Sequence, residues 1–196
     1  MNKAYETMRG FWLDVNNLQH KKEVPLLGDK KICVAGVEMA AQDPKGGIKN
    51  VLIAASSLGN ASVYFENNSP SGLGGFTGGA ASGPVRDKAL RLMQAAAVAS
   101  AALPAVAALQ APADPQKVVL FACGGDGRLF AQELPEAEVR QPQHPLYGFF
   151  AYTQQLLGAF RTEQEKAAAA AQPQAAAQPA APKAAQAPAV PKQEEK

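Results

Sequence analysis

Tyr5, Met8, Trp12 and Val15 recur at offsets of three, four and three, with Phe11 and Leu18 widening the same stripe. That period predicts an amphipathic helix over residues 4–18, because side chains three and four apart share one helical face. Val85, Ala89, Leu92, Met93, Ala96 and Leu103 continue at spacings that also suit a helix. It should open at Pro84, whose missing N–H is harmless in the first turn. It should kink or end at Pro104, which lacks a backbone donor and crowds the preceding turn. A last helix is expected after His144-Pro145. There Leu146, Phe150, Thr153, Leu157 and Phe160 line one face, and Phe149 and Leu156 broaden it.

Between these helices the pattern shortens to strand-length apolar runs. Ile32–Met39 reads as a strand, followed by the breaker cluster Asp43–Gly47. Ile48–Ser56 and Ala61–Glu66 form a hairpin about Leu58-Gly59-Asn60, placing Val51, Ile53 and Ala55 opposite Val63 and Phe65. Val118–Cys123 and Arg128–Leu134 form a second hairpin about Gly124–Gly127. Residues 67–83 are expected to be a long Gly/Ser/Asn-rich loop, 111–116 a connector, and 135–142 a polar loop. Strands that come in neighbouring runs point to an α+β fold with a mainly antiparallel sheet of about five strands and packed helices.

From Glu163 onward the chain changes character. Ala, Pro and Gln dominate, and Val190 is the one large apolar residue. Such a segment buries too little surface to offset its ordering entropy. Alanine favours prolonging the last helix over 163–171, with the prolines from Pro173 ending it. The expected organisation is one globular domain over 1–162 and a disordered tail over 163–196. The tail's Pro179–Pro182 and Pro188–Pro191 spacings lack anchoring side chains and read as spacer.

Charge and composition narrow the function. Residues 1–162 carry 15 Lys/Arg against 13 Asp/Glu, giving +2, and the tail carries four of each. No cationic cluster suited to phosphate neutralisation stands out, so nucleic acid is disfavoured as a partner. Lys21, Lys22, Lys30 and Lys31 flank a loop and read as solvated. The two cysteines, Cys33 and Cys123, fall in apolar runs, as free thiols of a reducing compartment do. The first residues lack an apolar signal core, and the alanine-rich stretch 95–109 is too short and too weakly apolar to span a bilayer. A cytoplasmic protein without a membrane partner is expected.

Candidate chemistry is sparse. Gly72–Gly79 follows a strand and precedes a helix, where backbone N–H groups can cradle an anion. Gly74, Gly75, Thr77 and Gly78 are the candidate ligand-binding residues there. The loop has no GxxxxGK[ST], and Thr77 stands where a dinucleotide fingerprint needs its third glycine. Phe76 could plug the core from this loop. Cys33, Cys123, His20 and His144 lack the local pairing of a zinc site, so no metal and no cofactor are expected. Cys123 with His144 would need hydrogen-bond reach for nucleophilic catalysis. Packed-thiol and helix-start roles suit them better. Ser56-Ser57 lacks a GxSxG setting. Glu133, Glu136 and Glu138 read as an exposed acidic turn.

The order strands, helix, strands, helix over Ile32–Arg161 resembles profilin-like and roadblock/longin-type domains. Ala61–Glu66 ahead of a glycine-rich stretch, with Asp126-Gly127 and His144–Tyr147 later, also resembles small bacterial proteins to which no activity is assigned. The resemblance to roadblock-type domains implies a scaffold that dimerises through helix and edge-strand surfaces. The expected function is therefore a non-enzymatic protein-interaction or scaffolding domain, a homodimer among its candidate forms. The alternative is a small-ligand sensor with its site at residues 72–79.

Overall fold

The computed structural model describes residues 2–14, 24–42, 48–66, 73–76, 81–112 and 114–175. The chain divides into two units, Met1–Glu163 and Gln164–Lys196. In the second, the described residues are helical to Ala175.

Helix α1 spans Lys3–Leu13. It is started by Asn2, whose side-chain oxygen accepts from the Tyr5 amide at 2.9 Å, satisfying a donor that the first turn leaves open. The predicted continuation to residue 18 is cut at Asp14, and 15–23 lie outside the described residues. Strands β1 (Ile32–Gln42), β2 (Ile48–Ser56) and β3 (Ala61–Glu66) follow. The β2–β3 register pairs Val51 with Phe65 and Ile53 with Val63, as the alternation requires.

β4 (Leu73–Phe76) forms inside the expected loop, pairing with β3. Helix α2 (Gly83–Ala99) begins under Ser82, with Pro84 in its first turn, and closes in a 3-10 turn at Ser100–Ala102. Leu103, the residue before Pro104, is extended (φ −86°, ψ 127°), as proline demands of its predecessor. The extended chain then makes the two-residue strand β5 (Ala105–Val106). β6 (Lys117–Gly124) and β7 (Leu129–Pro135) form the second hairpin. The polar loop after it holds a four-residue helix α3 (Glu136–Val139). Helix α4 (Tyr147–Ala175) runs beyond the expected limit near 171 and includes Pro173.

Among the described residues, all seven strands join one antiparallel sheet in the order β4-β3-β2-β1-β6-β7-β5. Seven replace the expected five because β4 and β5, of four and two residues, are too short to show an alternation. Both sheet faces are covered. Ala35, Val37, Ile53, Val63 and Leu120 meet Leu92 and Met93 of α2 and Phe149, Leu156 and Phe160 of α4. Leu52, Tyr64 and Phe121, pointing the other way, meet Tyr5 and Trp12 of α1. Strands buried on both faces read as continuous apolar runs, which is how β1 and β6 look in the sequence. Among the described residues, no helix is long and apolar enough to cross a membrane.

Candidate functional site

Gly74 and Gly75 are neighbours in edge strand β4, paired with Phe65 and Tyr64. A Cβ on Gly75 would lie 2.1 Å from the Val63 carbonyl oxygen, so glycine permits close strand approach here. Thr77 and Gly78 lie outside the described residues. Phe76 does reach the core, from a strand, stacking on Phe160 with ring centroids 5.9 Å apart.

Cys123 does not share the core cluster that Leu146, two residues beyond His144, joins. Cys123 packs on the α1 side. His144 precedes α4, its Nδ1 accepting from the Leu146 amide at 3.2 Å and its Nε2 lying 3.5 Å from Glu138. Glu133 and Glu136 face Lys117 and Arg140 respectively, at 3.4 and 2.5 Å. Among the described residues, no three His, Cys, Asp or Glu side chains gather as a metal would need. Ser56 and Ser57 are buried, and their hydroxyl oxygens find no hydrogen-bond partner among the described residues.

Two features escaped the sequence reading. The first is polar and buried. Glu38 interrupts the apolar run of β1 and is fully enclosed beneath α1. Arg9 Nε donates to both its oxygens at 2.9 Å, and the Tyr5 hydroxyl donates to Oε1 at 3.0 Å. Arg9 Nη2 also donates to the Leu109 carbonyl at 2.6 Å. Burial pushes the Glu38 carboxyl above its ordinary range, against the pull of Arg9 and Tyr5. Burial and the adjacent carboxylate together raise Tyr5.

Glu66 behaves oppositely. Burial pushes it up, but amide donors from Asn50 and Asn2 outweigh that and bring it below its ordinary range. Its Oε2 accepts from Asn50 N at 3.0 Å and Nδ2 at 2.8 Å, and its Oε1 from Asn2 N at 2.5 Å. Together these carboxylates fasten α1 to the sheet. These hydrogen bonds to the two carboxylates all come from the chain itself.

The second feature is apolar and exposed. Val98 lies near the end of α2, off the buried stripe, with 82% of its surface open. A groove of about 750 Å³ on one side is lined by Leu27, Lys30, Gln94, Ala97 and Ser100 as well as Val98. Another of about 330 Å³ reaches Arg91, Ala95, Phe149 and Tyr152. Lys30 is fixed at the rim and is not freely solvated. Its Nζ donates to the carbonyls of Ser100 and Leu103, and sits 4.3 Å from the Phe130 ring centroid. A cation there caps the negative end of α2. An apolar β-branched residue off the helical stripe was the available signal for this surface. Compared with protein-family models, curated proteins and solved structures, the chain matches none.

Proposed function

We propose that this chain is a non-enzymatic protein-interaction domain that self-associates through the α2 surface around Val98. The observation that carries the reading is that ridge: a valine more than four-fifths exposed, with an apolar-lined groove on either side. Contiguous apolar surface rimmed by polar groups marks interaction sites, and Val98 is part of the lining of both grooves. Ala95 and Ala97 beside it let a second backbone come close. A two-fold axis near Val98 would place each valine in its partner's groove, since such interfaces are self-complementary. Burying one valine contributes about 1.5–3 kcal/mol.

The strands–helix–strands–helix order supports a profilin-like or roadblock-like layout within the same proposal. Domains of the latter kind dimerise through helix and edge-strand surfaces. Cytoplasmic residence belongs to the proposal as well.

Sedimentation velocity of the full chain over a wide concentration range tests it. The wild type should pass from monomer to dimer. Val98→Glu should weaken that equilibrium by at least about tenfold, a loss of about 1.4 kcal/mol. A wild type that stays monomeric throughout, or a Val98→Glu variant that dimerises equally well, contradicts the reading.

A further inference from the structure

The chain's two cysteines meet on the sheet face beneath α1. β1 and β6 pair in regular register from Met39 opposite Val118 to Val34 opposite Cys123, and then slip so that Ile32 opposes Gly124. Cys33 is the extra residue of this β-bulge, so Cys33 and Val34 together face Cys123. The packing agrees. Ile32 and Ala35 enter the core under α2 and α4, whereas the consecutive Cys33 and Val34 both enter the α1-side core, with Cys123. Strict alternation would have sent one of these two neighbours to the opposite face.

The bulge therefore brings the thiols onto one side. Cys33 Sγ lies 3.4 Å from the Cys123 carbonyl oxygen. Val34, next to Cys33, is directly opposed to Cys123, and such residues have Cα atoms about 4.5–5.5 Å apart. Its bulged neighbour Cys33 shares that partner, near the roughly 4.4–6.8 Å a disulfide bridges. Each cysteine is only 2% exposed. Burial, with Cys33 alongside, pushes the Cys123 thiol up to about 12.

We propose that Cys33 and Cys123 are an oxidisable pair, closed by a peroxide into an intrachain disulfide that staples β1 to β6. One sulfur, as thiolate, attacks a peroxide oxygen. The O–O bond breaks, a sulfenic acid forms, and the departing oxygen leaves as water after taking a proton. The second thiolate then attacks that sulfur, the S–S bond forms, and the sulfenic oxygen leaves as a second water. Two thiols lose two electrons and two protons while the peroxide is reduced to two waters. Because the thiolate is the reacting form and both groups are enclosed, the reaction runs through local openings of the native fold and is slow.

The test uses the full native chain and hydrogen peroxide at several protein concentrations. The reaction is followed by alkylation in denaturant without reductant, intact mass measurement and peptide mapping. The expected product is two hydrogens lighter, takes up no alkyl group, and joins the Cys33 peptide to the Cys123 peptide. Its fraction is independent of protein concentration, and dithiothreitol reverses it. Sulfinic acid on one cysteine with the other still alkylatable overturns the proposal. So do links between chains, or two thiols untouched in the native protein while the same chain in guanidinium reacts.

Discussion

Replacing Tyr5 by phenylalanine removes one oxygen from the place where α1 is fastened to the sheet. The ring is fully buried among Leu52, Tyr64 and Phe121, and phenylalanine keeps that packing. What disappears is the 3.0 Å bond to Glu38. A hydrogen bond to a charged acceptor contributes about 1.5–3 kcal/mol. Glu38 keeps both bonds from Arg9 Nε, so the carboxylate is not stranded and the lower half of that range applies. For a chain of this size each 1 kcal/mol lowers Tm by about 2–4 °C, and the expected drop is about 3–9 °C.

Chemical denaturation of wild type, Tyr5→Phe, Glu38→Gln and the double variant measures the coupling. An amide acceptor reduces the Tyr5 bond to about 1 kcal/mol, so the two losses should fall short of additivity by the difference, about 0.5–1.25 kcal/mol. A Tyr5→Phe loss below about 0.5 kcal/mol, or losses additive to within about 0.3 kcal/mol, would refute the reasoning.

Gly36→Ala should be among the most damaging small changes, because its Cβ would sit 2.2 Å from the Ile53 carbonyl oxygen and 2.8 Å from the Phe121 ring. Overpacking of this kind costs about 1–3 kcal/mol or more, and a soluble variant as stable as wild type in denaturant melts would count against the sheet register. Gly10→Ala should act oppositely, since the added Cβ meets nothing within 4 Å on α1. Better helix propensity predicts a gain of about 0.5–1 kcal/mol in the same melts, and a loss would contradict the helix.

The two buried carboxylates give opposite pH signatures. The folded value of Glu66 is depressed, so its stabilisation is present above the unfolded pKa of about 4.3 and lost as pH falls through the folded value. Glu38 is raised, so its contribution is greatest below about 4.3 and is lost as pH rises through its folded value. Denaturant melts across acidic pH should show Glu66→Gln flattening the acid-side loss and Glu38→Gln flattening the decline toward neutral pH. An unchanged wild-type profile in either variant removes that carboxylate from the linkage.

The long elements were legible because each carries enough periodic residues. The apolar stripe of α4 (Phe149, Phe150, Leu156, Leu157 and Phe160) and the matched Ile53–Val63 pairing needed nothing beyond spacing. β4 and β5 were not legible. Two glycines among four residues give β4 almost no strand signature, and β5 exists because Pro104 extends the chain beside β7. The sequence offered Glu38 as a charge within an apolar strand, but not its partner Arg9, twenty-nine positions earlier on another element. The bulge at Cys33 was equally hidden, because one extra residue in a run of apolar residues leaves composition unchanged. At the surface, Val98 breaks the α2 stripe in plain view, yet the grooves beside it are built by the Leu27–Lys30 loop and the start of α4, which only folding brings together.

A photo-crosslinking amino acid placed at position 98, with exposed Ala137 on α3 as control, would interrogate the α2 surface in the living cell. Irradiation should give a covalent product of twice the chain mass from position 98 and none from 137, with the crosslink mapping to α2 of a second copy. No such product from position 98, or equal yields from both positions, would contradict self-association through this ridge.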